Sequence, residues 1–356
     1  MFKSQALLAL AATLIAAAFH FAAFAPASHA QSQPKRIIID TDPGTDDALA
    51  ILLALNSPEV KVEAISVVAG NVSVETGFDN ALGITQLAGR CDVTVAKGAA
   101  YPISHHLVIE PFWNGPGGLG GAQLPAQRCK PDSRFGPDLI IDLVHKYPHE
   151  ITLVPVGPET NIALAVLKDP SIVPLVKGVI LMGGSISGGN VSGAAEFNVW
   201  GDPEAASIVF NAGWPVTMVG LDVTEITLVH DEDVAALLKN AGPIAKFAAD
   251  VAKFQIGLYQ STGFKGGAIH DALAVGGAID PTFLKTRFLR VDVETEGRFA
   301  RGETVANRHG TVDNPTPVGD HWETYSVNTV QPNVNVAVGI DADRFVKFFI
   351  SRLQGK

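Results

Sequence analysis

An alternation that begins near residue 35 restricts the fold of this chain more than any other sequence feature. Short apolar runs alternate with segments rich in Ala and Leu that have the spacing of amphipathic helices. Strands separated by helices in this way are typical of βαβ units, which build a mostly parallel sheet. The run Gly178–Met182 is apolar throughout, as expected for a strand that is buried on both faces.

The composition of each run assigns its element type. We predict strands at Arg36–Asp40, Val62–Ala69, Ile151–Val156, Gly178–Met182 and Pro215–Val219. We predict helices at Asp46–Asn56, Val74–Ala88, Glu159–Lys168, Pro203–Asn211 and Asp233–Ala241. These elements predict an α/β fold, a single large domain with a mostly parallel central sheet flanked by helices, in a Rossmann-like open arrangement.

Two segments do not follow this alternation. Tyr101–Arg134 is rich in Gly and Pro and reads as a long loop, and long loops on such folds are often functional. Val291–Gln331 is polar with strand-like pieces, which indicates a β-hairpin followed by the last strand. There is neither an internal repeat nor a low-complexity linker, so we expect one domain over residues 31–356.

The first 30 residues have the pattern of a secretory signal peptide. Lys3 supplies a positive charge, Ala6–Ala25 is almost entirely apolar, and Ser28-His29-Ala30 offers a small-x-small cleavage site. We predict a signal peptide over residues 1–30 and a periplasmic or secreted protein that has no membrane segment after cleavage. The alternative is a membrane anchor, because the apolar run is just long enough to span a bilayer.

Charge and cysteine content argue against several classes of protein. The net charge is −10, and there is no run of Lys or Arg, so the basic footprint of a nucleic-acid-binding protein is missing. Cys91 and Cys129 are too few for a disulfide scaffold or a zinc cluster. They can pair in an oxidising compartment, and the sequence leaves that open.

The most informative motif is an acidic cluster at the end of the first strand. Asp40, Asp42, Asp46 and Asp47 fall within eight residues, around the turn Pro43-Gly44. A tight turn there lets the side chains before and after it converge. Four neighbouring carboxylates repel one another unless a cation neutralises them, and oxygen ligands suit Ca²⁺ or Mg²⁺.

Three other interpretations of this motif are weaker. Helix capping accounts for one or two of the acids but not for four. An EF-hand loop would need a different spacing and a terminal Glu. A phosphatase of the Asp-x-Asp type would have Thr or Val where this chain has Gly44, and it would leave Asp46-Asp47 unexplained.

The acidic motif resembles the opening signature of the inosine-uridine preferring nucleoside hydrolase family. Further blocks agree in order and spacing over roughly residues 36–281. They are Ala69-Gly-Asn71-Val, Val154-Pro-Val-Gly-Pro-Glu-Thr-Asn-Ile-Ala163, Met182-Gly-Gly with Asn190, Ala195-Glu-Phe-Asn198, and His270-Asp-Ala-Leu-Ala274. The resemblance implies hydrolysis of ribonucleosides to ribose and free base. We expect a homo-oligomer, and the sequence leaves open whether it is a dimer or a tetramer.

The resemblance also implies a bound Ca²⁺. Its ligands would be Asp42, both carboxylate oxygens of Asp47, the backbone carbonyl of Val156, and Asp271. The family often has Thr at the position of Val156, a harmless change because only the carbonyl is used. Substrate hydroxyls and water would complete the roughly seven or eight oxygens that calcium favours.

Catalytic and substrate-binding roles follow from the same resemblance. Asp42 would be the general base that takes a proton from calcium-bound water, and Asp40 would lie behind the site. The substrate-binding set would be Asp46, Asn71, Met182, Asn190, Glu196 and Asn198. Glu196 and Asn198 are two positions apart, so they face the same way if that segment is extended.

His270 is the candidate for protonating, or hydrogen-bonding, the leaving base. Its ordinary pKa lies near neutrality, which suits a general acid. The alternative is a purely structural histidine, but its place beside the expected ligand Asp271 favours a catalytic role.

The residues that contact the base are left open. Phe112, Trp113, Tyr259, Phe264 and Trp322 are available, and each can equally belong to the core. Many family members carry a His before the Gly-rich segment of the long loop. This chain has Asn114 there, with His105 and His106 nearby but out of register, so base preference is not predicted.

One alternative function belongs to a different class. An exported protein that binds nucleosides or ribose without cleaving them would need the same pocket. The presence of both Asp42 and His270 argues for the enzyme.

Overall fold

The computed structural model describes residues 33–126, 128–239, 241–307 and 331–355. The predicted signal peptide and Trp322 lie outside these ranges. Every element described below belongs to one compact unit that starts at residue 34.

The strands and helices alternate along much of the chain. The strands are β1 (Lys35–Thr41), β2 (Val60–Val67), β3 (Thr94–Lys97), β4 (Ile151–Pro155), β5 (Gly178–Met182), β6 (Val216–Val219), β7 (Leu228–Val229), β8 (Gly267–Ala268), β9 (Leu284–Leu289), β10 (Val291–Val293), β11 (Thr304–Ala306) and β12 (Val334–Ile340). The helices are α1 (Thr45–Leu55), α2 (Val74–Leu87), α3 (Pro111–Asn114), α4 (Gly136–Lys146), α5 (Thr160–Lys168), α6 (Phe197–Gly201), α7 (Pro203–Asn211), α8 (Leu221–Thr224), α9 (Asp231–Leu238), α10 (Pro243–Ser261), α11 (His270–Ile279) and α12 (Ala342–Leu353). Among the helices of the described ranges, none is both long and apolar enough to cross a membrane.

Eight strands form the central sheet, in the order β3-β2-β1-β4-β5-β6-β12-β9. Every neighbouring pair is parallel except β12 with β9 at one edge, which is antiparallel. From β1 the chain first adds strands on one side, β2 and then β3, and it then returns to the other side of β1 to add β4, β5 and β6. The strand order therefore reverses between β1 and β4. At such a switch point the carboxyl ends of the strands leave a crevice in which ligands bind. The predicted α/β fold with a mostly parallel, open sheet is confirmed.

The sheet is buried on both faces because its strands alternate between two apolar clusters. Ile37 and Ile39 of β1 pack into the cluster that contains α1, α2, α10, α11 and α12. Ile38 points to the opposite face, where α4, α5 and α7 pack. A strand that is apolar at successive positions fits this two-sided environment, whereas a half-exposed strand would alternate with polar residues.

Most predicted elements are present with ends shifted by a few residues, and the two segments predicted to be irregular contain short elements of their own. The long loop Tyr101–Arg134 contains the short helix α3 and one 3-10 turn at Pro116–Gly118. Strands β10 and β11 pair antiparallel as the hairpin predicted within Val291–Gln331, and β12 follows that segment. Residues 308–330 lie outside the described part of the chain.

Cys91 and Cys129 are disulfide-bonded. The bond ties the long loop to the segment that precedes β3, across 38 positions of sequence. A cross-link that closes a loop of this length restricts the unfolded chain and so stabilises the folded one.

The double replacement Cys91→Ser with Cys129→Ser should therefore lower the free energy of unfolding by about 2–4 kcal/mol. Urea unfolding of the oxidised wild-type protein and of the double variant measures this difference. Wild-type protein under a reducing agent is the matched control and should unfold with the variant. Equal midpoints for oxidised wild-type protein and variant would show that the bond contributes no stability.

Candidate active site

The crevice at the switch point opens into a cavity of about 510 Å³. Asn71 follows β2, Val156 follows β4 and Met182 ends β5, so the carboxyl ends of three strands line the cavity. Asp42, which follows β1, is buried next to Asn71 and does not line the cavity. Nine of the predicted site residues line the cavity wall. They are Asp46, Asn71, Val156, Met182, Asn190, Glu196, Asn198, His270 and Asp271.

Three carboxylates meet at one end of this cavity. Oxygen atoms of Asp46, Asp47 and Asp271 lie within 4.8 Å of one another and could hold a metal ion. Asp271 comes from the first turn of α11, more than 200 positions from the other two. Asp42 and Asp47 are fully buried. The negative charge of Asp42 contributes to raising the pKa of Asp271, which indicates that Asp42 is near this group.

The turn at Pro43-Gly44 holds Asp47 in place. Its carboxylate accepts hydrogen bonds from the hydroxyl of Thr41 at 2.5 Å, the amide of Gly44 at 2.9 Å and the side-chain amide of Asn71 at 2.9 Å. The bond from Gly44 caps the start of α1. Capping therefore accounts for part of the role of Asp47, and it does not account for the convergence with Asp271.

Asp42 is packed closely against backbone from two neighbouring strands. Its Oδ2 accepts a hydrogen bond from the amide of Asn71 at 2.5 Å. A Cβ added at Gly70 would lie 2.1 Å from Oδ2, and one at Gly157 would lie 2.4 Å from Oδ1. Both positions therefore need glycine so that the backbone can approach the carboxylate.

Burial and mutual repulsion make these carboxyl groups hard to ionise together. Burial, and then the charge of Asp47, raise the pKa of Asp42 well above its ordinary value and that of Asp46 to about 7. Burial, and then the charge of Asp46, raise the pKa of Asp271 well above its ordinary value. Such a cluster needs protons or a cation to be stable.

The donor atoms fit a hard divalent cation. Within the described residues, Oδ1 of Asp42 and Oδ2 of Asp271 are buried without a hydrogen-bond partner. The carbonyl of Val156 accepts one hydrogen bond, from the side-chain amide of Asn198 at 2.9 Å, and a carbonyl oxygen has a second lone pair. An all-oxygen set of this kind suits Ca²⁺ or Mg²⁺ rather than a softer metal.

Glu196 and Asn198 reach the cavity, but the segment that carries them is not extended as expected. Glu196 is the N-cap of α6, where its carboxylate accepts hydrogen bonds from the amides of Asn198, Val199 and Gly184. Asn198 lies in the first turn of that helix and donates to the carbonyls of Val156 and Met182. The cap and the first turn, rather than strand alternation, bring the two side chains to one cavity.

The remaining polar residues of the wall are anchored by their own contacts. Asn190 accepts a hydrogen bond from the amide of Phe197 at 3.0 Å. Asp40 lies behind the cluster, where it accepts a hydrogen bond from Asn161, and burial raises its pKa to about 7. Glu159, which the sequence interpretation did not single out, is fully buried with neither carboxylate oxygen hydrogen-bonded among the described residues.

His270 differs from expectation in its pKa. Its ring lies at the start of α11, with 8% of the residue exposed. Hydrogen bonds join Nδ1 to the hydroxyl of Thr224 at 2.7 Å and Nε2 to the hydroxyl of Tyr259 at 2.6 Å. Burial lowers the pKa of His270 to about 4 instead of leaving it near neutrality. The imidazole is therefore neutral at pH 7.

Three of the candidate aromatics line the cavity, and they form what we call the aromatic wall (Trp113, Tyr259 and Phe264). The ring of Tyr259 lies 5.3 Å from each of the other two rings. Phe112 packs edge-on against Trp113, but it is 61% exposed and does not line the cavity.

Asn114 takes a structural part in the long loop. It is buried, lines the cavity, and accepts a hydrogen bond from the amide of Thr45 at 3.0 Å. His105 instead contacts Glu204, on α7, and His106 does not line the main cavity. Neither histidine substitutes for the one that the family often has.

Gln255 was missed from sequence because α10 was not assigned, and Tyr259 of the same helix was named only as one of five candidate base contacts. Gln255 and Tyr259 of that helix both line the cavity, and their spacing of four would have placed them on one helical face. Glu225, directly after α8, and Glu110, directly before α3, also line it. No short-range pattern around these two acids distinguishes them from surface residues.

Together, the open parallel sheet, the buried carboxylate cluster and the aromatic wall define the class, an α/β enzyme with a carboxylate-rich site for a small molecule. A family model described as inosine-uridine preferring nucleoside hydrolase matches residues 37–347. The chain belongs to this family, and its members are N-glycosyl hydrolases.

Individual relatives cover most of the chain. It is 39% identical to an inosine-uridine preferring nucleoside hydrolase of Crithidia fasciculata, over 90% of this chain and 98% of that protein. It is also 39% identical to a pyrimidine-specific ribonucleoside hydrolase, RihA, of Photobacterium profundum, over 78% of this chain and 91% of that protein. A solved structure of a purine-preferring ribonucleoside hydrolase from Gardnerella vaginalis is similar with a TM-score of 0.82 and 36% identity, over 90% and 98% of the two chains.

Proposed function

We propose that this protein hydrolyses the N-glycosidic bond of ribonucleosides to ribose and a free purine or pyrimidine base, with Ca²⁺ as its cofactor. The observation that carries the proposal is the buried cluster of Asp46, Asp47 and Asp271 at one end of a cavity of about 510 Å³, a volume typical of small-molecule sites. The names of the relatives cover purine, pyrimidine and mixed preferences, so they support the reaction without choosing a base.

In this proposal the cation is held by Asp42, Asp47, Asp271 and the carbonyl of Val156. The unpartnered oxygens of Asp42 and Asp271 support this assignment. When bound, calcium supplies positive charge that lowers the pKa of an adjacent water and attracts the ribose hydroxyls.

The carboxylate of Asp42 accepts the proton of the attacking water. Cleavage passes through an oxocarbenium-like ribosyl transition state, which neighbouring negative charge stabilises. Asp46, Asn71, Glu196 and Asn198 bind the ribose hydroxyls, Asn190 binds the 5′-hydroxyl, and Met182 contacts the sugar. All six line the cavity.

His270 serves the leaving base. Because its imidazole is neutral at pH 7, it acts by hydrogen bonding or by passing on a proton rather than as a stored imidazolium. The hydrogen bond to the hydroxyl of Tyr259 holds the ring in a defined orientation on the cavity wall.

Replacing His270 by Ala should lower kcat/KM for inosine by about 10²–10³-fold, because the base must then leave without help. The loss for p-nitrophenyl riboside, whose leaving group needs no proton, should be less than about tenfold. Steady-state kinetics on both substrates measures the difference. An equal loss on both would show that His270 is structural.

The proposed reaction is tested with purified protein, inosine and uridine, in the presence of calcium or of a chelator. We expect release of reducing sugar with calcium and none with the chelator. Tight binding of either nucleoside without sugar release would favour a binding protein instead. A phosphate ester serves as the negative substrate, since among the described residues no Lys or Arg lines the cavity.

We also propose that the protein is exported, with a signal peptide over residues 1–30 and a catalytic domain over 31–356, for nucleoside catabolism in the periplasm or outside the cell. The disulfide between Cys91 and Cys129 is consistent with an oxidising compartment. Five large apolar side chains are exposed on one stretch of the long loop, which supports a homo-oligomer, a dimer or tetramer. They are Tyr101, Ile103, Val108, Ile109 and Phe112.

A further inference from the structure

Glu225 is a carboxylate of the cavity wall that no part of the proposed reaction uses. It directly follows α8 and is half-buried. The residue before it, Thr224, is hydrogen-bonded to His270, so Glu225 lies on the side of the cavity that serves the leaving base. Its negative charge contributes to the raised pKa of Tyr259, which indicates proximity to the aromatic wall.

The carboxylate of Glu225 is not neutralised by a neighbour. Within the described part of the chain it accepts no hydrogen bond and forms no ion pair, and burial, followed by the charge of Asp222, raises its pKa. Glu110, also on the cavity wall, is likewise without a side-chain partner there.

The other acids of the wall have a role already. Asp46 and Asp271 belong to the carboxylate cluster, and Glu196 accepts three backbone hydrogen bonds. No Lys or Arg of the described ranges lines the cavity to offset the rest. Uncompensated negative charge therefore remains beside three aromatic rings.

Resting on the proposed function, we infer that the cavity prefers ribonucleosides whose base carries a positive charge, such as N7-alkylated purine ribosides, and that Glu225 determines this preference together with the aromatic wall. A cationic ring gains Coulomb energy from a partly desolvated carboxylate. It gains further from the faces of Trp, Tyr and Phe, which attract cations.

The chemistry of such a substrate balances without a proton donor for the base. The C1′–N9 bond breaks and its electron pair moves to the cationic ring, which leaves as a neutral base. The water oxygen bonds to C1′, and the water proton passes to Asp42 and then to solvent. A neutral base would instead have to gain a proton as it leaves.

The test compares 7-methylguanosine, which is cationic, with guanosine. The ratio of their kcat/KM values is measured for the wild-type protein, for Glu225→Gln and for Glu232→Gln. Glu232 is an exposed acid at the start of α9 that does not line the cavity, so its variant is matched in charge. Intrinsic lability of the cationic nucleoside is the same for all three proteins and cancels in the comparison.

We expect the ratio to fall about tenfold in Glu225→Gln and to stay unchanged in Glu232→Gln. Turnover with the same ratio in all three proteins overturns this inference alone. No turnover of any nucleoside by the wild-type protein overturns the proposed function, and this inference with it.

A second measurement needs only the wild-type protein. Guanosine hydrolysis is inhibited with 1-methylnicotinamide, a cationic ring, and with nicotinamide, its neutral counterpart. We expect the inhibition constant of the cation to be about tenfold lower. Equal constants for the two rings overturn the inference.

Discussion

Replacing Asp42 by Asn should lower kcat/KM for inosine by about 10⁴-fold, since the substitution removes the proposed general base and a proposed cation ligand together. The change preserves the shape of the side chain. It also preserves the contact with the amide of Asn71, because an amide oxygen can accept the same hydrogen bond. The loss should therefore be a loss of chemistry rather than of folding.

Steady-state kinetics with saturating calcium measures this effect, and thermal unfolding verifies that the variant folds. Asp250→Asn is the matched control, because Asp250 is an exposed acid on α10 away from the cavity. A folded Asp42→Asn variant that retains activity within about tenfold of wild type would remove Asp42 from the mechanism.

Removal of divalent cations should abolish turnover, and the stabilisation by added calcium should depend on pH. Burial and then the charge of Asp47 raise the pKa of Asp46 from 3.8 to about 7 in the folded chain, and the pKa values of Asp42 and Asp271 are also raised well above their ordinary values. Between about pH 4 and pH 7 the folded cation-free protein then binds more protons than the unfolded chain. Its stability therefore falls as the pH rises through this window.

A bound cation replaces these protons, so the gain in Tm on adding calcium should be larger at pH 8 than at pH 5. At a thousandfold excess over Kd the gain at pH 8 should be about 4 kcal/mol, or roughly 10 °C in Tm. Calorimetry of chelator-treated protein, with and without calcium, measures both values. The same gain at both pH values, or a full gain in Asp271→Asn, would contradict the proposed cation site.

The fold and the acidic motif could be predicted from sequence because both depend on short-range patterns. Runs such as Gly178–Met182 are apolar at every position and mark buried parallel strands. Strand β9 was missed because four of its central residues are exposed at the sheet edge, which removes the apolar signal. Helix α10 was not assigned, so the sequence did not show that Tyr259 of the aromatic wall lies on a helix.

The features that could not be predicted from sequence depend on burial and on contacts between residues far apart in the chain. The low pKa of His270 follows from enclosure by α8, α10 and α11, which no local pattern around the residue reveals. Glu225 differs from a surface acid only through its position beside Tyr259 and the cavity. The pairing of Cys91 with Cys129 likewise could not be predicted, because it depends on the course that the long loop takes in the folded protein.

The proposed mechanism requires that the buried carboxylates bind one divalent ion. Titration of calcium into chelator-treated protein at pH 8, followed by calorimetry, tests it most directly. We expect one ion per chain for the wild-type protein and none for Asp47→Asn, because Asp47 is a proposed ligand through both carboxylate oxygens. No calcium uptake by the wild-type protein, or equal uptake by the variant, would contradict it.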